Sequence, residues 1–130
     1  FLASSEYDYV RILEGFENVN IEDVRNIISE EIEDVFDQVI EDRKSKGLVI
    51  KAEYMGTRET RLTDATYDSD SGWAEISVSF TAEMTSVVLD SDGNVIEGDK
   101  KQVKRQKDVW TFARDMSSND PNWQLVATSE

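Results

Sequence analysis

The sequence predicts an α+β domain in which amphipathic helices pack on one face of a curved, four-stranded antiparallel sheet. Three observations carry this. Apolar residues recur at helical spacing as far as Gly47, and beyond Gly47 the period drops to two. Turn-forming clusters at 68–72 and 90–94 then divide the second half into strands joined by short connections, which only antiparallel neighbours allow.

The helices come first. Between Glu6 and Glu17, Tyr9, Ile12, Leu13 and Phe16 stand at i, i+3, i+4 and i+7, one face of a helix. Asn18 and Asn20 interrupt it. Asn20 then suits the N-cap of a short helix through Ile28, with Asp23 at its third position and Val19 and Val24 spaced as a hydrophobic staple. Ser29 caps the next helix, and Glu30 and Glu31 occupy its first turn, where the helix dipole favours negative charge. Along it Ile32, Val35, Phe36, Val39 and Ile40 repeat at i, i+3, i+4, i+7 and i+8. Arg43, Lys44 and Lys46 fall in the last turn, and Gly47 is placed to end the helix at positive φ.

The strands follow. Leu48, Ile50, Ala52 and Tyr54 alternate with Val49, Lys51 and Glu53 up to Gly56, which marks a bulge or bend; Arg61–Tyr67 continues that strand. From Ala74 to Ala82 the even positions are small or apolar and the odd ones polar, as in a sheet with one packed and one wet face. A long strand is predicted from about Lys101 to Arg114, a loop over 115–122, and a last strand over Trp123–Thr128.

Length and composition bound the rest. A chain of 130 residues has the size of one domain with one core, so residues 1–130 are read as a single unit. Its formal charge of −14, from 28 acidic and 14 basic residues, repels nucleic-acid phosphates and offers no bulk attraction to anionic lipid. Contact with either needs a local basic patch. Without cysteine there is neither a disulfide framework nor a thiolate metal site. No apolar run approaches the roughly 20 residues needed to cross a bilayer. The opening on Phe1-Leu2-Ala3 without Met reads as a fragment of a longer protein, with a membrane anchor ahead of Phe1 left open.

Residues that carry chemistry are sparse. Histidine is absent, which removes the commonest general base and metal ligand. There is no phosphate-binding glycine loop, nucleophile elbow or zinc spacing. Asp90–Asn94 has the opening of a calcium loop but lacks its later oxygen ligands and closing Glu, so it reads as a plain turn. No cofactor is expected. The acidic clusters of the second long helix read as a solvated face. One basic run stands out: Lys100, Lys101, Lys104, Arg105 and Lys107. Lys101, Arg105 and Lys107 fall on one strand face, Lys100 and Lys104 on the other. Such lysines guard an edge against pairing, face acidic neighbours, or meet headgroups or an acidic partner; the contact residues proposed are Lys101, Lys104, Arg105 and Lys107. The tryptophans, Trp73, Trp110 and Trp123, suit core or rim packing.

The tail bears a resemblance. Asp108-Val109-Trp110-Thr111-Phe112-Ala113-Arg114, then Asp120-Pro121-Asn122-Trp123 and Leu125-Val126-Ala127-Thr128, closely resemble the Tim44-like domain, with its D-x-W-x-F-x-R strand, DPNW turn and closing L-V-A-T. Val95–Asp99 resembles the approach to that strand. Phe1-Leu2 and Tyr7–Phe16 look like the first helix. The family includes the C-terminal domain of the peripheral subunit of the mitochondrial inner-membrane import motor, bacterial relatives and a mitochondrial ribosomal protein.

The resemblance implies a cone similar to cystatin and nuclear transport factor two, with an apolar pocket lined by Trp110, Phe112, Arg114, Trp123 and Phe80. Arg114 needs a carboxylate or carbonyl partner, which Asp108 or Asp120 can supply. It also implies a non-catalytic adaptor for protein translocation or membrane-protein biogenesis at an inner membrane, bacterial or on the mitochondrial matrix side. Its partners would be proteins of such a complex and an anionic phospholipid, but not nucleic acid. Glu6, Asp8, Glu14 and Glu17 on the first helix oppose direct lipid contact and fit a bacterial relative. The alternatives are a carrier of a lipid or small apolar ligand, and an isomerase or dehydratase of the same cone using Asp64 or Asp108.

Overall fold

The computed structural model describes residues 2–17 and 22–129, with the side chains of residues 4–14 and 24–129. Phe1, Asn18, Val19, Asn20 and the side chains of Leu2, Phe16, Glu17 and Asp23 lie outside the described residues. So do the Asn20 cap and the Val19–Val24 staple expected there.

Helix α1 spans Leu2–Glu17 and buries Tyr9, Ile12 and Leu13, the stripe its spacing predicts. A 3₁₀ helix covers Glu22–Ile27, shorter than the helix expected through Ile28. The last strand ends it. Ile28 bridges Leu125 in parallel, and the Ser29 amide donates to the Leu125 carbonyl at 2.8 Å. Helix α2 spans Glu30–Ser45, with Ser29 Oγ accepting from the Ile32 amide as its N-cap. It closes at Gly47, φ +67°, as the Leu48 amide reaches the Arg43 carbonyl at 2.9 Å.

The α2 stripe departs from expectation at two positions. Ile32, Phe36 and Ile40 are buried, but Val35 is 53% exposed and Val39 only half-buried. At about 100° per residue, Val39 lies about 60° and Val35 about 100° from the centre of the buried line. The helix meets the core along a narrower seam than five apolar residues imply.

The sheet is one antiparallel meander: β1 (Val49–Tyr67), β2 (Trp73–Leu89), β3 (Val95–Asp115) and β4 (Gln124–Ser129), in that spatial order. The two stretches expected before Asp68 form the single strand β1, bulged at Gly56 as foreseen. β3 begins earlier than predicted because Val95–Asp99 pairs with the far end of β2. Between Asp99 and Lys104 the pairing breaks, then runs in unbroken register from Lys104 to Asp115. Gly98 makes the return possible at φ +87°, since a Cβ there would stand 2.1 Å from the Ser86 carbonyl oxygen. Both turns are self-capped. Asp90 Oδ1 accepts the amides of Asp92 and Asn94 at 2.9 Å, a plain turn as predicted.

The even positions of β2 and β3, including Val78, Phe80, Ala82, Met84, Trp110 and Phe112, form the concave face. α1 packs on β1 and β2, α2 against β4, and Glu6 accepts a bond from Thr60 of β1 at 3.0 Å.

Candidate functional site

The site grows from the middle of α1. Tyr9 is fully buried, its ring stacked on Phe80 at 4.2 Å and edge-on to Trp110 at 4.6 Å. Its hydroxyl donates to Asp108 Oδ2 at 2.7 Å, and Gln106 Nε2 donates to the same oxygen at 2.9 Å. Burial, then the bond to Asp108 and that carboxylate's charge, push the phenol pKa far up, so Tyr9 stays a donor. A carboxylate at the rim of an aromatic core is thereby satisfied by two donors.

Beyond Asp108 the concave face opens into a cavity of about 730 Å³. Ile12 and Leu13 of α1, Phe36 of α2 and Trp110 of β3 supply its apolar wall. Lys104, Arg105, Gln106 and Lys107 form one side, and Thr128 and Ser129, where β4 stops, another. The cations here are not neutralised. Among the described residues, none of Lys101, Lys104, Arg105 and Lys107 makes an ion pair, while Arg25 is paired with Glu33 and Asp37, and Lys46 with Asp42. Glu83, directly across from Arg105, instead takes Arg58 at 3.0 Å.

The structure distributes the residues singled out in the sequence. Phe80, Trp110 and Phe112 are together, but they are closed into the packed core with Tyr9, and of the three only Trp110 reaches the cavity wall. Trp123 lines a separate apolar groove of about 510 Å³ with Tyr67, Ile76 and Met116. Arg114 is half-buried, and its Nε donates to the Asp120 carbonyl at 3.0 Å, tying down the loop before β4. The carbonyl partner is one of the two options the sequence offered. Lys101 lies in the interruption of β3, where its amide donates to Asp99 Oδ1, and it is apart from the cavity. The expected split of faces therefore holds only for Lys104 against Arg105 and Lys107. Asp64 is exposed on β1, separated from Asp108 by β2, so the two carboxylates do not form a pair. Among the described residues no cluster of three or more His, Cys, Asp or Glu is arranged to hold a metal.

Sequence reasoning missed the Tyr9–Asp108 bond, which spans 99 residues. Tyr9 was legible only as one member of an apolar stripe.

The intermembrane-space region of the chloroplast protein ARC6 has a similar fold in its crystal structure. The TM-score is 0.67 at 13% sequence identity, over 99% of this chain and 95% of that one. No curated protein matches the chain by sequence. The family model described as the Tim44-like domain matches residues 1–130 from end to end. The chain belongs to the Tim44-like domain family.

Proposed function

We propose that this domain is a non-catalytic adaptor that holds a protein partner of a membrane-associated translocation or membrane-biogenesis complex at the rim of its cavity. One observation carries the reading: among the described residues Lys104, Arg105 and Lys107 make no ion pair, and they border a cavity with an apolar wall in a chain of net charge −14. Free cations next to exposed apolar surface recognise an acidic, partly apolar ligand. Membership of the Tim44-like domain family supports a translocation-related role at a membrane. Among the described residues no helix is long and apolar enough to cross one, which fits association through partners.

An anionic phospholipid is the second reading, favoured by the same cations and cavity. At about 1 kcal/mol for each basic residue near an anionic surface, three give a weak and salt-sensitive association. Co-sedimentation separates the two. The domain should sediment with native inner membranes, and Lys104→Glu/Arg105→Glu/Lys107→Glu should reduce recovery at least about fivefold. Shaving the membranes with protease should abolish it. Equal recovery on shaved membranes, or on protein-free phosphatidylcholine vesicles only when they contain cardiolipin, would replace the protein partner with lipid. Equal recovery of wild type and variant would sink both.

A further inference from the structure

Tyr9 sets α1 across the concave face at Phe80 and Trp110, and the basic cavity lies to one side of that crossing. On the other side the register places Ala65 and Tyr67 of β1 opposite Ile76 and Ala74 of β2, all on the concave face. Met116 and Trp123, from the connection between β3 and β4, complete a groove of about 510 Å³. Ala65 and Ala74 keep its floor low between larger walls. Tyr67 is 62% and Met116 44% exposed, so large apolar side chains stand in water beside an unfilled concavity.

The charge at this end has the opposite sign to that at the cavity. The two connections that bound the groove, residues 68–72 and 116–123, carry Asp68, Asp70 and Asp120 and no Lys or Arg. Asp115 ends β3 beside them, and the cation here, Arg114, gives its Nε to the Asp120 carbonyl. Asp68 accepts the Asp70 amide, Asp115 the Ser117 amide and Asp120 the Asn122 amide, bonds that hold these carboxylates in place without neutralising them. Among the described residues none of the four aspartates makes an ion pair.

We propose that this groove docks a basic segment of a second partner protein, with one bulky apolar side chain set between Tyr67 and Trp123. Its lysines or arginines lie along Asp68, Asp70, Asp115 and Asp120, and those nearest the walls stack on the two aromatic rings. From β1 to the approach to β4 is three strand spacings, about 14 Å, which about four extended residues span. This goes beyond the cavity-rim reading by adding a surface of opposite sign, through which the adaptor holds two unlike partners. An acidic guest of the rim is repelled here, and a basic guest of the groove is repelled there. A second copy of this chain could enter only by bringing its own basic segment of β3, which would make the groove a contact between copies.

The test uses the full chain with ¹³C-labelled methionine methyl groups, titrated with the capped peptide Arg-Lys-Leu-Phe-Lys-Arg and followed by NMR. The Met116 methyl signal should shift saturably while that of Met55, exposed elsewhere on β1, stays in place. Replacing Leu-Phe by Ser-Ser in the peptide, or its basic residues by Glu, should each weaken binding at least about tenfold. Tyr67→Ser should weaken it at least about fivefold, and so should Asp68→Asn/Asp120→Asn, in which the Asn oxygens still accept the turn amides. Asp90→Asn/Asp92→Asn removes the same charge from the turn at the other end of β2 and should change binding less than about twofold. Equal weakening by the two Asn pairs would reduce the effect to the bulk charge of the chain and overturn the site. So would a Ser-Ser peptide that binds as well as the Leu-Phe one, or no binding at all. A Met116 shift that depends on protein concentration without peptide would replace the partner with a second copy.

Discussion

Tyr9 joins two tasks at one position, since its ring packs against Phe80 and Trp110 while its hydroxyl satisfies Asp108. Tyr9→Phe keeps the packing and removes the donor, leaving Gln106 as the carboxylate's side-chain partner. It should cost about 1–3 kcal/mol, measured by urea denaturation at pH 7. Asp115 makes the opposite kind of carboxylate, exposed and held by its own turn. Ser117 Oγ donates to it at 2.6 Å and the Ser117 amide at 3.0 Å, which lower its pKa below the ordinary 3.8. A carboxyl whose folded pKa is depressed adds stability that is present above its unfolded pKa and lost as pH falls through the folded one. Asp115→Asn should therefore lower the urea midpoint at pH 7, with the gap to wild type closing below about pH 3.8. A gap that stays constant down to pH 2.5 would show that the charge of Asp115 is not what the turn uses. Asp8 acts in the other sense. Burial raises its pKa despite Arg11, so folding favours its protonated form as pH falls.

At the scale of elements, α2 is secured by the narrow seam of Ile32, Phe36 and Ile40. Phe36 is buried and also lines the cavity, so truncating it enlarges a space that is already there. Phe36→Ala should cost about 3 kcal/mol, the low end for a buried Phe, whereas Val35→Ser should stay within about 0.5 kcal/mol. Equal losses at both positions would mean that α2 buries its whole apolar stripe. Helix ends were legible because caps are local. Ser29 and Gly47 act where the sequence places them, each through bonds to near neighbours in the chain. The early start of β3 was not legible, because Glu97 and Gly98 become strand only by meeting Val88 and Val87 on β2. The exposure of Val35 was equally hidden, since periodicity reports which residues share a face and not how much of that face is covered.

For the whole molecule, a charge of −14 on one small domain works against compactness through self-repulsion. Raising salt from about 0.01 to 0.15 M shortens the screening length from about 30 to 8 Å, so the thermal midpoint should rise. A midpoint that falls or stays level would indicate that favourable pairs such as Arg25 with Glu33 and Asp37 outweigh the repulsion. The basic segment of β3 is the local exception to that field, and the fold sets a cavity beside it.

The sequence by itself determined the class of the fold, the order of helices and strands, the turns and the family, because period, caps, turn residues and the Trp110–Thr128 tail are local patterns. It also singled out the basic run by its contrast with the rest of the composition. Only the tertiary structure decided which aromatic residues are sealed in the core and which meet open space. Phe80 and Trp123 look alike in an alternating strand pattern, yet one is wholly buried under Tyr9 and the other lines an outer groove. The same holds for the basic run. Whether Lys104, Arg105 and Lys107 guard an edge, neutralise neighbours or frame a cavity depends on where α1 and α2 lie against the sheet. Those are long-range packing outcomes, and no spacing along the chain encodes them.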